Sequence, residues 1–389
     1  METRPYIGWE QISDFMIRVF QAYGVPKEDA EICTDVLLEA DRRGVESHGC
    51  NRFKPIYLDR IKNGTLLPVT NCEIVKETPT TVVMDAHDGM GMVAAYRMME
   101  KLIEKAKIYG MAGGTIYNST HYGIAGYWTT MAEKAGMIGI SGTNARPSVA
   151  PTFGVEPMMG TNPLTFTMPT DEEFPFNLDC ATSTIQNGKI EFYERLGKPT
   201  PAGLIVTKDG DTMTESGEIL RQMRAGNCAL VALGGLGEET GGYKGYGFTT
   251  AVEILSAALS GGPHTKALSG KDENGNNKMY HLGHFFFVIN PEFFMVWTPS
   301  GRPPAISAGR CATPPKPPAL SVSTPPVRRN GWYGRSARIR ACLWTRPFRR
   351  NSWRCVTNAA WMSRSPLKHN ERGDTGRYLR FFVAIFWGL

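Results

Sequence analysis

Asn118-Ser119-Thr120-His121-Tyr122-Gly123, the apolar run into Ile138-Gly139-Ile140-Ser141-Gly142-Thr143-Asn144, and Gly160-Thr161-Asn162-Pro163 mark the stretch around which the chain is organised. Hydrogen-bonding residues gather at the ends of its apolar runs, where strands deliver side chains to a cleft. Any single Asn, Ser, Thr or Gly among them is equally an ordinary turn residue. His121 differs. An imidazole exchanges a proton near neutral pH, and this one stands between a hydroxyl and small residues, which makes it an acid/base candidate. Residues 112–117 read as a buried strand leading into it, 123–135 as a helix and 137–141 as the next strand, a short βα alternation that does not continue.

Upstream, residues 9–24 and 27–43 carry apolar positions at helical spacing. Glu46-Ser47-His48-Gly49-Cys50-Asn51-Arg52 follows, and Phe53, Ile56, Tyr57 and Ile61 extend the pattern as one helix from near Ser47. On that helix His48 and Arg52 are four apart and share a face, an arrangement suited to a carboxylate-bearing substrate whose neighbouring oxygen changes protonation. A capped helix start with a surface arginine is the plainer reading. A strand at 80–84 and an amphipathic helix at 91–109 come next.

Downstream, 164–168 and 176–178 read as strands, followed by Asp179-Cys180-Ala181-Thr182-Ser183 and Gly188-Lys189. Residues 197–227 read as polar and loop-rich. Gly241-Gly242-Tyr243-Lys244-Gly245-Tyr246-Gly247 precedes a helix at 248–259, so backbone N–H groups and one cation can approach an anion at the positive helix end. The motif matches neither the Rossmann nor the Walker pattern. Residues 284–290 read as a buried strand, and His281 and His284 lack a carboxylate or cysteine at ligand spacing, so no metal site is expected.

The 389 residues carry a net charge of +6, which averages two unlike parts. Residues 296–389 hold 17 of the 43 Lys+Arg but 2 of the 37 Asp+Glu, with six of the eight tryptophans. Basic residues with interleaved aromatics suit nucleic acid. Pro-Pro clusters, the missing hydrophobic period and the apolar end at 381–387 argue against that partner, and this tail is expected to be disordered or a frame-shifted translation. Eight scattered cysteines without a Cys-x-x-Cys pair point to reduced thiols. No run reaches membrane-span length and no signal peptide opens the chain, so a cytoplasmic protein without membrane contact is expected.

Taken in order, Ser47-His48-Gly49 with Arg52, Asn118 to Gly123, Gly160 to Pro163, Leu178 to Ser183, Gly188-Lys189 and Lys244-Gly245-Tyr246-Gly247 resemble the malate/L-lactate dehydrogenase-like oxidoreductases across residues 1–295. The resemblance implies an α/β, non-Rossmann NAD(P)-binding fold with a large mixed β-sheet and flanking helices, assembled as a homodimer. It implies hydride transfer between NAD or NADP and a small 2-hydroxy or 2-oxo acid, with reduction of a cyclic imine as the alternative within the family. It gives His48 and His121 to proton transfer, Arg52, Ser47 and Asn118 to substrate, and Asn144, Ala145, Thr161, Asn162, Asp179, Cys180, Ala181 and Lys244 to the cofactor. The family's acidic helix and closing segments after the His284 strand are not visible in the tail, which leaves open a defective or non-catalytic product.

Overall fold

A computed structural model describes residues 7–171 and 173–295, so the tail at 296–389 lies outside the described residues. They form two compact units, residues 7–69 and 70–295. In the first, α1 (Trp9–Ala22) packs on α2 (Lys27–Arg42), burying Met16, Val19 and Phe20 against Ala30, Cys33, Val36 and Leu37. The single helix expected from Ser47 is instead a series of short turns: 3₁₀ at Glu46–His48 and Cys50–Arg52, π-helical at Phe53–Leu58, and α3 (Asp59–Lys62). Gly49, at ψ −145°, ends the first turn. Pro55 then removes one N–H from the ladder, so no regular helix passes through. Phe53 and Tyr57 fix these turns by packing edge-on to Phe20, at 4.6 and 6.2 Å between ring centroids.

The second unit contains strands β1 (Glu73–Glu77), β2 (Thr81–Asp85), β3 (Met111–Ser119), β4 (Ile138–Thr143), β5 (Leu164–Met168), β6 (Phe176–Cys180), β7 (Ile205–Thr207), β8 (Cys228–Leu230) and β9 (Leu282–Ile289). Seven of them form one sheet in the order β1-β2-β3-β9-β4-β5-β6. Only the β2–β3 pair is parallel, so the sheet is mixed and is not the doubly wound Rossmann arrangement. Helix α4 (Gly91–Tyr109) packs on β3, and α5 (Ala125–Lys134) on β4 and β5. β9 is central, which is why Leu282-Gly283-His284-Phe285-Phe286-Phe287-Val288-Ile289 is almost continuously apolar.

The stretch read as loop, 197–227, contains β7 and α7 (Ser216–Arg224), and β8 follows directly. With α6 (Asn187–Arg195), they close a second small core of Val149, Ile190, Ile205, Ile219 and Leu230. These elements were missed because each is short and contributes one or two buried residues, too few to show a period. The glycine segment before the expected helix at 248 is the first part of α8 (Gly242–Glu253). A side chain at Gly245 would overlap the Leu233 backbone, so glycine there lets the helix lie directly on that strand end.

His284 is the one polar side chain in the apolar centre of β9, and it is fully buried. Nδ1 lies 2.7 Å from Thr143 Oγ1 at the end of β4, and Nε2 lies 2.8 Å from Ser119 Oγ at the end of β3. The Tyr122 ring stacks on it at 4.4 Å and 9°. Burial pushes the His284 pKa down to about 3. An unfolded histidine titrates near 6.5, so the unfolded chain binds the proton first as pH falls. Stability present above pH 6.5 is therefore lost as pH falls toward 3, at up to about 1.4 kcal/mol per pH unit from this residue. Urea midpoints measured between pH 7 and 4 should decline with acid, and His284→Phe should flatten that decline.

Candidate active site

In the first unit the Ser47-His48-Gly49 turn is shaped by Asp41. The Asp41 carboxylate accepts the Cys50 N–H at 2.9 Å and occupies the volume a side chain at Gly49 would need. Burial raises the Asp41 pKa, partly offset by its Cys50 hydrogen bonds. Ser47 Oγ lies 2.8 Å from His48 Nδ1, and Arg52 Nε donates to Ser47 O at 2.6 Å. His48 and Arg52 are thus brought together around Ser47 by a folded-back arginine rather than by sharing a helix face. His48 as a residue is half-buried. Burial, and after it the Arg52 charge, lower its pKa to about 4, so it is a neutral imidazole at pH 7.

In the second unit His121 follows a strained turn. Asn118 adopts φ +47°, and both Asp85 carboxylate oxygens accept its amide, at 3.1 and 3.0 Å. Asn118 O accepts the Asp88 N–H at 2.7 Å, and Asp85 also accepts the His87 N–H at 2.8 Å. His87 and Asp88 have positive φ as well, and such residues persist only where surrounding bonds over-determine them. Past this turn, Thr120 donates to Gly89 O at 2.7 Å and accepts the Gly91 N–H at 3.0 Å. His121 is half-buried, and its Nδ1 accepts the Gly123 N–H at 3.3 Å, which places the hydrogen of the neutral ring on Nε2.

Several residues expected at the cofactor have internal partners. Asn144 Oδ1 accepts the Gly283 N–H at 2.8 Å, tying β4 to β9. Asn162, at φ +32°, accepts the Ala145 N–H at 3.1 Å and donates to Glu253 at 2.7 Å and to Thr249 O at 3.1 Å. Thr161 O accepts the Thr182 N–H at 3.0 Å. Asp179 accepts the Gly126 N–H in the first turn of α5 at 2.9 Å and the Thr165 hydroxyl at 2.9 Å, so its charge sits at a helix N-terminus. Burial, with Asp179 adding, raises the Cys180 thiol, and Ala181 is buried beside it. Lys244 is the exception: it is exposed in the first turn of α8, with Nζ 5.7 Å from the Tyr243 ring centroid.

Asp41, Asp85, Glu253 and His284 escaped the sequence reading. The signal for His284 was legible as a lone polar residue inside a strand of bulky apolar ones. Asp85 and Glu253 act across 33 and 91 residues of sequence, and no local pattern announces them or Asp41.

The family model described as malate/L-lactate dehydrogenase matches residues 7–301. The chain belongs to the malate/L-lactate dehydrogenase family. It is 44% identical to the malate dehydrogenase of Pyrococcus horikoshii over 74% of this chain and 76% of that one. It is 38% identical to the L-sulfolactate dehydrogenase of Methanocaldococcus jannaschii over 74% of this chain and 78% of the relative. Among solved structures, malate dehydrogenase from Entamoeba histolytica superposes with a TM-score of 0.77 at 38% identity, covering 84% of this chain and 90% of that one. Membership makes the chain a hydroxy-acid dehydrogenase with a nicotinamide cofactor. The exposed Lys244 ammonium at the start of a 12-residue helix fits the phosphates of such a cofactor. Among the described residues no helix is long and apolar enough to cross a membrane.

The His48 environment is open to direct measurement. Because Arg52 contributes to the depression, Arg52→Ala should move the His48 pKa upward from about 4, read from imidazole NMR shifts against pH. An unchanged titration would mean that the guanidinium is screened from the ring.

Proposed function

We propose that this dehydrogenase interconverts small 2-hydroxy and 2-oxo acids, with malate and sulfolactate as first candidates and NAD or NADP as the cofactor. The observation that carries the reading is the Ser47-His48-Arg52 constellation, a neutral imidazole whose pKa is lowered in part by an adjacent guanidinium. When bound, the nicotinamide exchanges a hydride with C2 of the acid. Arg52 pairs with the substrate carboxylate and fixes which carbon faces the cofactor. That carboxylate neutralises the charge that depresses His48, so the proton affinity of the ring rises when a hydroxyl proton has to be accepted. His121, with hydrogen on Nε2, is the acid/base group of the second unit, able to donate to a substrate oxygen and to stabilise a developing negative charge on it. Ser47 orients His48, and Asn118 sets the turn that carries His121. Lys244 holds a cofactor phosphate, with Asn144, Ala145, Thr161, Asn162, Asp179, Cys180 and Ala181 forming the framework around it.

We infer that the working unit is a homodimer. Phe248 on α8, Ile254 in the π-helical turn after it (Ile254–Ala258) and Leu259 beyond are 56%, 55% and 56% exposed. Large apolar side chains open to water on adjoining turns favour a second copy as cover. Phe248→Glu with Ile254→Glu should give a monomer by light scattering, and a double variant of unchanged mass removes this face from the assembly.

His48→Ala and His121→Ala should each lower turnover by about two to four orders of magnitude. The assay panel is oxaloacetate, pyruvate, sulfopyruvate and a cyclic imino acid, each with NADH and with NADPH. Near-full turnover in either variant removes that histidine from the mechanism. Turnover of the imine alone would replace the substrate assignment.

A further inference from the structure

We propose that His284 is a positioning residue for the reaction, setting the placement of His121 through the Ser119–Tyr122 segment. The inference rests on the role given to His121 above. His284 lies in the middle strand of the sheet and touches neither cofactor nor substrate in the proposed scheme, yet its ring holds the segment that bears His121 at two residues, Ser119 and Tyr122.

Thr143 Oγ1 lies 2.8 Å from Asn144 O and 3.0 Å from Gly283 O, and carbonyl oxygens only accept. Each ring nitrogen of His284 is within hydrogen-bond distance of a hydroxyl, Nδ1 at 2.7 Å from that of Thr143 and Nε2 at 2.8 Å from that of Ser119. The complete burial of the ring keeps it neutral throughout the neutral range, so one nitrogen donates and the other accepts.

The result is a template for the segment that bears His121. Ser119 is seated on the edge of the imidazole and Tyr122 on its face. Thr120, between them, is held to Gly89 and Gly91. His121 is thus flanked on both sides by residues with fixed positions, while its own side chain reaches the surface of the unit. A reacting group displaced by about 1 Å costs on the order of 100-fold in rate. Releasing either seat gives the segment that freedom.

The test compares Ser119→Ala, His284→Phe and the double variant, with NADH and NADPH titrated separately by fluorescence to count binding-competent sites. Each single variant should lower kcat per cofactor-binding site by about 10- to 100-fold, with the cofactor Kd changed by less than about twofold. The double variant should be no worse than the worse single one, because both changes remove the same bond. A merely structural role would lower Tm and the fraction of competent sites but leave kcat per site within about twofold of wild type, and that result overturns the proposal. Ser119→Ala deletes a single oxygen and carries the test if His284→Phe does not fold. His121→Ala separates the two readings. If it loses turnover while the Ser119 and His284 variants do not, only this inference fails. If it keeps turnover, the role of His121 fails and the inference with it.

Discussion

The hydrogen bonds of His284 to Thr143 and Ser119 fasten the ends of β4 and β3 to the strand between them. An imidazole in the middle of an apolar strand is costly unless both nitrogens are satisfied, so the sheet has to bring two hydroxyls to fixed points on either side. The antiparallel registers do so, with His284 opposite Thr143 in one pairing and Leu282 opposite Ser119 in the other. Much of the geometry at this end of the sheet follows from that requirement. Asn144 is pinned to Gly283, the Asn118 turn is pinned to Asp85, and the residues between Ser119 and Tyr122 have little freedom left.

The same economy operates in the first unit, with charge in place of aromatic stacking. Asp41 fills the space above Gly49 and receives the Cys50 N–H, which stops the helical path after His48 and lets Arg52 return to Ser47. A regular helix would have left the imidazole and the guanidinium side by side on a solvated face. The broken path instead puts an arginine against a poorly hydrated imidazole, and burial first and that charge second lower the proton affinity of the ring.

Much of this was legible in the sequence where the period was long or the composition extreme. The α4 pattern, the β9 run and the clustering of polar residues at strand ends gave those segments, while the mixed α/β sheet came from the family resemblance alone. What was not legible is instructive. Asn162 and Asp179 read as ligand contacts, but their side chains are joined to Glu253 and to the first turn of α5, partners 91 and 53 residues away in the chain. Spacing along a chain carries no record of such long-range bonds. The glycines around Lys244 read as an anion-binding segment ahead of a helix, yet Gly245 is required by the closeness of a helix to a backbone. Glycine has one signature for two different needs, and only packing tells them apart.

The outermost strand of the large sheet, β1, is exposed at all five positions and pairs with β2 through a register shift between Ile74 and Lys76. Glu73, Lys76 and Glu77 alternate charge along it, and Lys101 and Lys105 reach across to Glu77 at 3.1 and 2.8 Å. A stranger's backbone approaching this rim would meet a twisted ladder and would have to strip water from those ions before forming a bond. The β1 rim thus resists growth into fibrils along this edge of the sheet.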